Sequence, residues 1–245
     1  MVDIHTHILY GVDDGSQSSE TSRYLLNQAK QSNITHILLT PHQNEELKRS
    51  EELKDRFNTF KEEFKNYGIS YYLGSEIYYY PKMIDDLDNN ILLTLNNTKY
   101  ILVEFSTRLE TNIQSIVYDL VIRGYKPIIA HIERYHYLSL DDYNEIKSTG
   151  ALIQINTKSF LNKAYKKKLK YLLKNDLVDF VASDCHNETR DLDFELAKKI
   201  ISKKYKNLYD KLFNQIPDFL KWFINKCIVL FVYNKWKGYW TIFYI

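Results

Sequence analysis

The chain of 245 residues is poor in cysteine, in net charge and in the motifs that cradle nucleotides. It has only Cys185 and Cys227, too few for a disulfide framework at this length, so reduced thiols and a cytoplasmic location are expected. The opening MVDIHTHILYGVDDG places acids and histidines where a secretory signal would carry basic and then apolar residues. With 33 basic and 31 acidic side chains the formal charge is +2, which offers no strong field to attract nucleic acid. Neither GxGxxG nor GxxxxGK occurs, and no internal repeat, so nucleotide-binding folds lose their main support. Long apolar runs are missing too. In the aromatic C-terminal stretch the longest, Cys227–Tyr233, has seven residues against the roughly 18 of a membrane span, so no transmembrane segment is expected.

What is present is a chain able to bury one sizeable core, with 44% hydrophobic residues. Short β-branched and aromatic runs recur at Val2–Leu9, Thr35–Thr40, Ser70–Ile77, Lys99–Phe105, Pro127–Ile132, Ala151–Asn156 and Leu177–Ser183. Between most of them lie stretches suited to helices, clearest at Ser18–Gln31 and Glu45–Tyr67. Others are Thr111–Arg123, Leu140–Ser148, Lys163–Asn175 and Asp191–Lys204. Gly68, Gly124 and Gly150 stand where such helices should stop. Strands alternating with helices favour a parallel α/β arrangement, and seven such units can close into a barrel. The site of a barrel lies at the C-terminal ends of its strands.

Those ends carry the chemistry. In DIHTHIL, His5 and His7 are two apart on a predicted strand, so both imidazoles point to one face. The turn Asp13-Asp14-Gly15 can return a carboxylate to that face. Further strand ends deliver His42 in ILLTPHQ, Glu76 in YYLGSEIYY, Glu104 in YILVEFS, His131 in PIIAHIERY, and Asp184 and His186 in FVASDCH. Taken singly, each has an ordinary explanation, because neutral histidine is also a common core residue and most glutamate is solvated. Spread over six strand ends, they are hard to explain by surface polarity. With Asp14 there are nine donors, more than one ion needs, so two or three ions sharing bridging carboxylates would use them. Imidazole and carboxylate without a cysteine cluster suit Mn, Fe, Zn or Mg. Such clusters make hydroxide at neutral pH and clamp phosphoryl oxygens.

The stretch VASDCHNETR offers a competing reading, since a cysteine phosphatase also sets a cysteine near an arginine. Here four residues separate Cys185 from Arg190, one fewer than in that loop. Asp184 and His186 flank the thiol, so Cys185 is expected to point away from both ligands if the strand persists.

In order, DIHTHIL, DDG, TPH, SEIYY, EF, AHIERY and SDCHN resemble the successive motifs of the PHP (polymerase and histidinol phosphatase) superfamily. The likeness is closest to its bacterial manganese-dependent protein-tyrosine phosphatases of the CpsB/CapC/YwqE type, encoded with capsule or exopolysaccharide genes. It runs from Met1 to about Tyr205. The resemblance implies a distorted (βα)7 TIM-like barrel over residues 1–215 and a trinuclear centre of Mn2+, with Fe, Mg or Zn as alternatives. The implied metal ligands are His5, His7, Asp14, His42, Glu76, Glu104, His131, Asp184 and His186, with Arg134 and Arg190 as the family's arginines. Independently, an arginine three residues past a ligand suits a bidentate phosphate contact. Asp13, His36 and His136 are expected to be structural.

The implied activity is hydrolysis of phosphotyrosine by a metal-bridging hydroxide, in line and without a phospho-enzyme. Its implied partner is a membrane-associated tyrosine kinase with a tyrosine-rich tail, and a homo-oligomer is compatible with it. Rival readings are histidinol-phosphate hydrolysis, a PHP-like regulatory module without activity, and a nuclease of the superfamily. From about Ile216 the chain leaves the pattern, and residues 216–245 hold all three tryptophans. A packing helix and strand, an interfacial membrane segment and a tail changed by a frame shift all suit that segment.

Overall fold

The computed structural model describes residues 1–221; the expectations for the aromatic segment beyond them lie outside the described residues. By its contacts the chain divides into one unit at Met1–Gln215 and another from Ile216.

Strand β1 (Val2–Thr6) is followed by α1 (Ser19–Gln31), β2 (His36–Leu39), β3 (His42–Gln43) and α2 (Ser50–Glu63). Then come β4 (Ser70–Leu73), β5 (Glu76–Tyr78), α3 (Met83–Asp88), β6 (Tyr100–Glu104), α4 (Ile113–Ile122) and β7 (Lys126–Ile129). The unit continues with α5 (Leu140–Ser148), β8 (Leu152–Asn156), α6 (Lys166–Lys174), β9 (Phe180–Ala182), α7 (Glu195–Lys204) and α8 (Lys206–Tyr209).

All the strand pairings are parallel, in the orders β1-β2-β4 and β3-β5-β6-β7-β8-β9. The two sheets are one ring with two interrupted staves. Pro41, which has no N–H to donate, separates β2 from β3. The expected single strand Ser70–Ile77 breaks at Gly74-Ser75, so β4 pairs with β2 while β5 pairs with β3 and β6. Gly74 is needed at that break, since a Cβ there would sit 2.7 Å from Leu95 Cδ2 and 3.1 Å from Leu95 Cα. The ring closes where Thr6 bridges Cys185, with the Asp184 N–H donating to the His5 carbonyl at 2.9 Å. Counted as staves, the strands are the seven that the sequence suggests.

The helices sit close to their expected places for identifiable reasons. Ser18 caps α1 by accepting the Thr21 N–H, and Leu25, Leu26 and Ala29 form the buried stripe. Ser139 and Asp142 form a reciprocal capping box on α5. The expected helix Glu45–Tyr67 starts late, at Ser50, because the Asn44 side chain accepts the Glu46 and Leu47 N–H groups and holds a turn there. Gly68, Gly124 and Gly150 follow helices at positive φ, the conformation glycine adopts without steric cost. The short α3, and α8 with the single π turn Asp210–Asn214, were not evident as helical stretches.

Between helices and ring lies a continuous apolar core that includes Ile37, Ile101, Val103, Ile129, Ile153, Ile155 and Val181. Strands buried on both faces are what parallel sheets require. Among the described residues no helix is long and apolar enough to cross a membrane.

Candidate metal centre

The C-terminal ends of the strands converge on one buried carboxylate, Glu76 at the start of β5. Its Oε2 lies 3.2 Å from His5 Nε2, 3.2 Å from His7 Nε2 and 3.1 Å from His42 Nδ1. Its Oε1 lies 3.0 Å from His131 Nε2, which is also 3.5 Å from Glu104 Oε1. Period two on β1 continues one residue past the strand and sets His5 and His7 on one face, their Nε2 atoms 3.2 Å apart. The opposite wall is Asp184, whose Oδ1 lies 3.5 Å from both His5 and His7 and 3.6 Å from His186 Nδ1.

Asp14 reaches the group from the rim. Its side chain is 67% exposed, yet Oδ1 lies 3.4 Å from His42 Nε2 and 3.7 Å from His186 Nε2. The turn that brings it there folds directly onto His7, and a Cβ on Gly15 would meet His7 Cβ and its carbonyl at 2.4 Å. Only glycine fits that approach.

Three sets of donor atoms are close enough to hold an ion each: His7, Asp14, His42 and His186; His5, His7, Glu76 and Asp184; and His42, Glu76 and Glu104. His131 joins through its contacts with Glu76 and Glu104. All nine residues singled out from the sequence therefore meet at one place.

The electrostatics are those of donors competing for too few protons. Burial opposes charge on His7, but the Asp13 carboxylate and Glu76 overcome it and raise its pKa to about 9. His42 is likewise raised to about 9 against burial, by Glu76 and Asp14. Burial and the neighbouring His7 push His186 down to about 3. Burial and the charge of Glu76 push Glu104 up to about 7, whereas His5 and His42 hold Glu76 well below the usual range despite its burial. His186 Nε2 is buried and has no hydrogen-bond partner among the described residues. A buried imidazole nitrogen without a partner, facing carboxylates and other imidazoles, is what a divalent cation satisfies, so the residues fit the metal their chemistry suggests.

Two of the donors sit on strained backbone. His131 has φ 33° and Asp184 φ 53°, a left-handed conformation that costs a non-glycine residue about 1–3 kcal/mol. Each lies two residues past the end of its strand, β7 for His131 and β9 for Asp184.

Arg134 and Arg190 stand over Asp184, donating to its Oδ2 at 3.3 and 3.1 Å. They are 33% and 43% exposed, so each also reaches solvent. Cys185 is fully buried, and burial pushes its thiol well above the ordinary value, which removes it as a nucleophile. It belongs to none of the donor sets. His36 stacks on Tyr72 and His136 on Tyr165, both apart from the cluster. Asp13 has a more specific place than a merely structural acid: its Oδ2 lies 2.7 Å from His7 Nδ1 and accepts the His42 N–H at 3.0 Å. It thereby leaves His7 Nε2 to the cluster. Gln154 and Asn156 on β8 also reach the donors; they are not among the residues singled out from the sequence, and the alternation of polar residues with isoleucine in IQIN is the signal that could have found them.

A family model described as capsular polysaccharide synthesis, CpsB/CapC, matches residues 1–220. The putative tyrosine-protein phosphatase CapC of Staphylococcus aureus is 36% identical over 223 residues, covering 86% of this chain and 87% of that one. The tyrosine-protein phosphatase YwqE of Bacillus subtilis is 34% identical over 225 residues, covering 84% and 85%. A solved structure from work on YwqE of Bacillus subtilis and CpsB of Streptococcus pneumoniae, described as unique metal-dependent tyrosine phosphatases, superposes with a TM-score of 0.78 at 30% identity. That superposition covers 88% of this chain and 96% of that one.

Proposed function

The chain belongs to the CpsB/CapC capsular polysaccharide synthesis family, and from that premise we propose that it is a metal-dependent protein-tyrosine phosphatase whose centre is the cluster around Glu76. The observation that carries the assignment of the site is the position of one buried carboxylate 3.0–3.2 Å from four imidazoles. His5, His7, Asp14, His42, Glu76, Glu104, His131, Asp184 and His186 would hold two or three divalent ions, with Mn2+ the metal we propose. The chemistry such ions supply when bound is acidification of water and neutralisation of phosphoryl charge.

The chain's own residues do the rest. Arg134 and Arg190 each spend one N–H on Asp184, and a guanidinium has five, so those remaining can orient the phosphoryl oxygens. Asp184 in turn holds both arginines at the edge of the donor cluster, which fixes the phosphorus close to it. The buried, protonated Cys185 takes no part, so no phospho-enzyme forms on it. The leaving phenol has a pKa of about 10, which makes only a modest demand for a general acid. The exposure of Asp14 and Arg190 at the rim favours a tyrosine carried on a protein segment over a small phosphate ester enclosed in a pocket. The substrate we propose is a phosphorylated, tyrosine-rich segment of a membrane-associated kinase of capsule or exopolysaccharide synthesis, dephosphorylated in the cytoplasm.

The test is activity of the purified chain on a phosphotyrosine peptide, a phosphoserine peptide and histidinol phosphate, with Mn2+, Fe2+, Mg2+ or Zn2+ and after chelation. Phosphotyrosine hydrolysis should depend on added metal, vanish in His131→Ala and Asp184→Ala, drop about 100-fold in Arg134→Ala and survive in Cys185→Ala. Full activity of His131→Ala, or a faster rate on histidinol phosphate, would sink the proposal.

A further inference from the structure

Two buried amides on β8, Gln154 and Asn156, link donors that lie far apart in the sequence, and the direction of each bond in the link is determined. The chain starts at the backbone N–H of His131, which can only donate. It points at Gln154 at 2.8 Å, so the atom it meets is the oxygen, Oε1. The same oxygen lies 3.2 Å from His5 Nδ1. An amide oxygen only accepts, so His5 Nδ1 carries a hydrogen and the lone pair of Nε2 is left for the cluster.

The amide nitrogen of Gln154 then donates to Asn156 Oδ1 at 2.7 Å, which fixes the orientation of the second amide. Asn156 Nδ2 donates to Asp184 Oδ2 at 2.9 Å. With Arg134 and Arg190 on that same oxygen, the carboxylate is sorted: Oδ2 is occupied by donors, and Oδ1 is turned to His5, His7 and His186. The relay is anchored at its far end, where the Asn156 N–H donates to Glu133 Oε1 at 2.9 Å and Ser159 Oγ donates to the same oxygen at 2.5 Å. Period two on β8 places both amides on one face of the strand, and buried amides keep their positions only when bonded.

We infer that Gln154 and Asn156 are positioning residues, a two-amide relay that sets the tautomer of His5 and selects the oxygen of Asp184 presented to the metal. The inference rests on the metal-centre reading above. Neither amide touches the reacting atoms; they act through His5, His131 and Asp184.

Two measurements decide it. In the metal-free wild-type chain labelled with 15N-histidine, NMR at alkaline pH should find His5 as the Nδ1–H tautomer; an Nε2–H tautomer with bare Nδ1 overturns the inference. Mn2+ affinity, by competition with a chelator, should fall about 10-fold or more in Gln154→Met and in Asn156→Leu. Gln154→Glu, which keeps the acceptor for His5 and His131 but cannot donate to Asn156, should recover part of the loss. A merely structural role would instead lower the melting temperature of the metal-free variants and leave Mn2+ affinity within about twofold of wild type, which also overturns it. A wild-type chain that binds none of Mn2+, Fe2+, Mg2+ and Zn2+ would overturn the metal-centre reading and with it the Asp184 half of the inference, while the tautomer measurement still decides the His5 half.

Discussion

At His7 and His42, burial and neighbouring charge pull in opposite directions, and charge wins. Both imidazoles are raised to about 9, so in the metal-free fold at pH 7 each holds a proton. A cation must displace those protons before it can bind. The sign follows directly: a raised pKa means the proton is bound at neutral pH, so metal affinity climbs as pH rises from 7 towards 9 and levels beyond it. Titration calorimetry of Mn2+ binding in buffers of different ionisation enthalpy should show release of roughly one to two protons at pH 7. Release of none would mean that neither histidine is a ligand. Asp13 belongs to the same argument, since its bond to His7 Nδ1 leaves Nε2 to face the other donors. The sequence places two acids side by side at Asp13 and Asp14, and their roles separate only in space: one orients a histidine, the other reaches the cluster.

The elements hold these residues through local chemistry that is mostly visible in the sequence. The α5 capping box is a clear case, with Ser139 and Asp142 satisfying each other's backbone N–H groups between β7 and β8. Ser139→Ala should destabilise the fold by about 1 kcal/mol in urea denaturation and leave phosphatase activity of the folded protein unchanged. Strand ends are a different matter. The breaks at Pro41 and Gly74 split two staves of the ring and set His42 and Glu76 on the short upper strands β3 and β5, paired with each other in register. An apolar run alone cannot show where such a strand stops pairing with one neighbour and starts with another, because that depends on what packs beneath it, here Leu95 under Gly74.

For the molecule as a whole, ring closure turns a list of donors into a site. The apolar layer between ring and helices is the main force that holds the closure, and Ile101, fully buried on β6, is part of it. Ile101→Ala should cost about 2–5 kcal/mol in equilibrium denaturation of the metal-free protein. A cost below about 1 kcal/mol would mean that the layer repacks freely around the gap.

The sequence by itself determined the alternation of strand and helix, the parallel α/β class, and the types and order of the donors, since period two and strand-end position are local properties of the chain. It also marked Arg134 and set Cys185 between two donors, with the spacing wrong for a nucleophile loop. Tertiary structure alone decided that four imidazoles share Glu76, that both arginines bond one oxygen of Asp184, and that Cys185 is buried. It also brought Gln154 to His5, a residue 149 positions away. The physical reason is that proximity across a closed ring is set by the register of every parallel pair between the two strands and by the core that holds the closure, and neither is a local property of any segment.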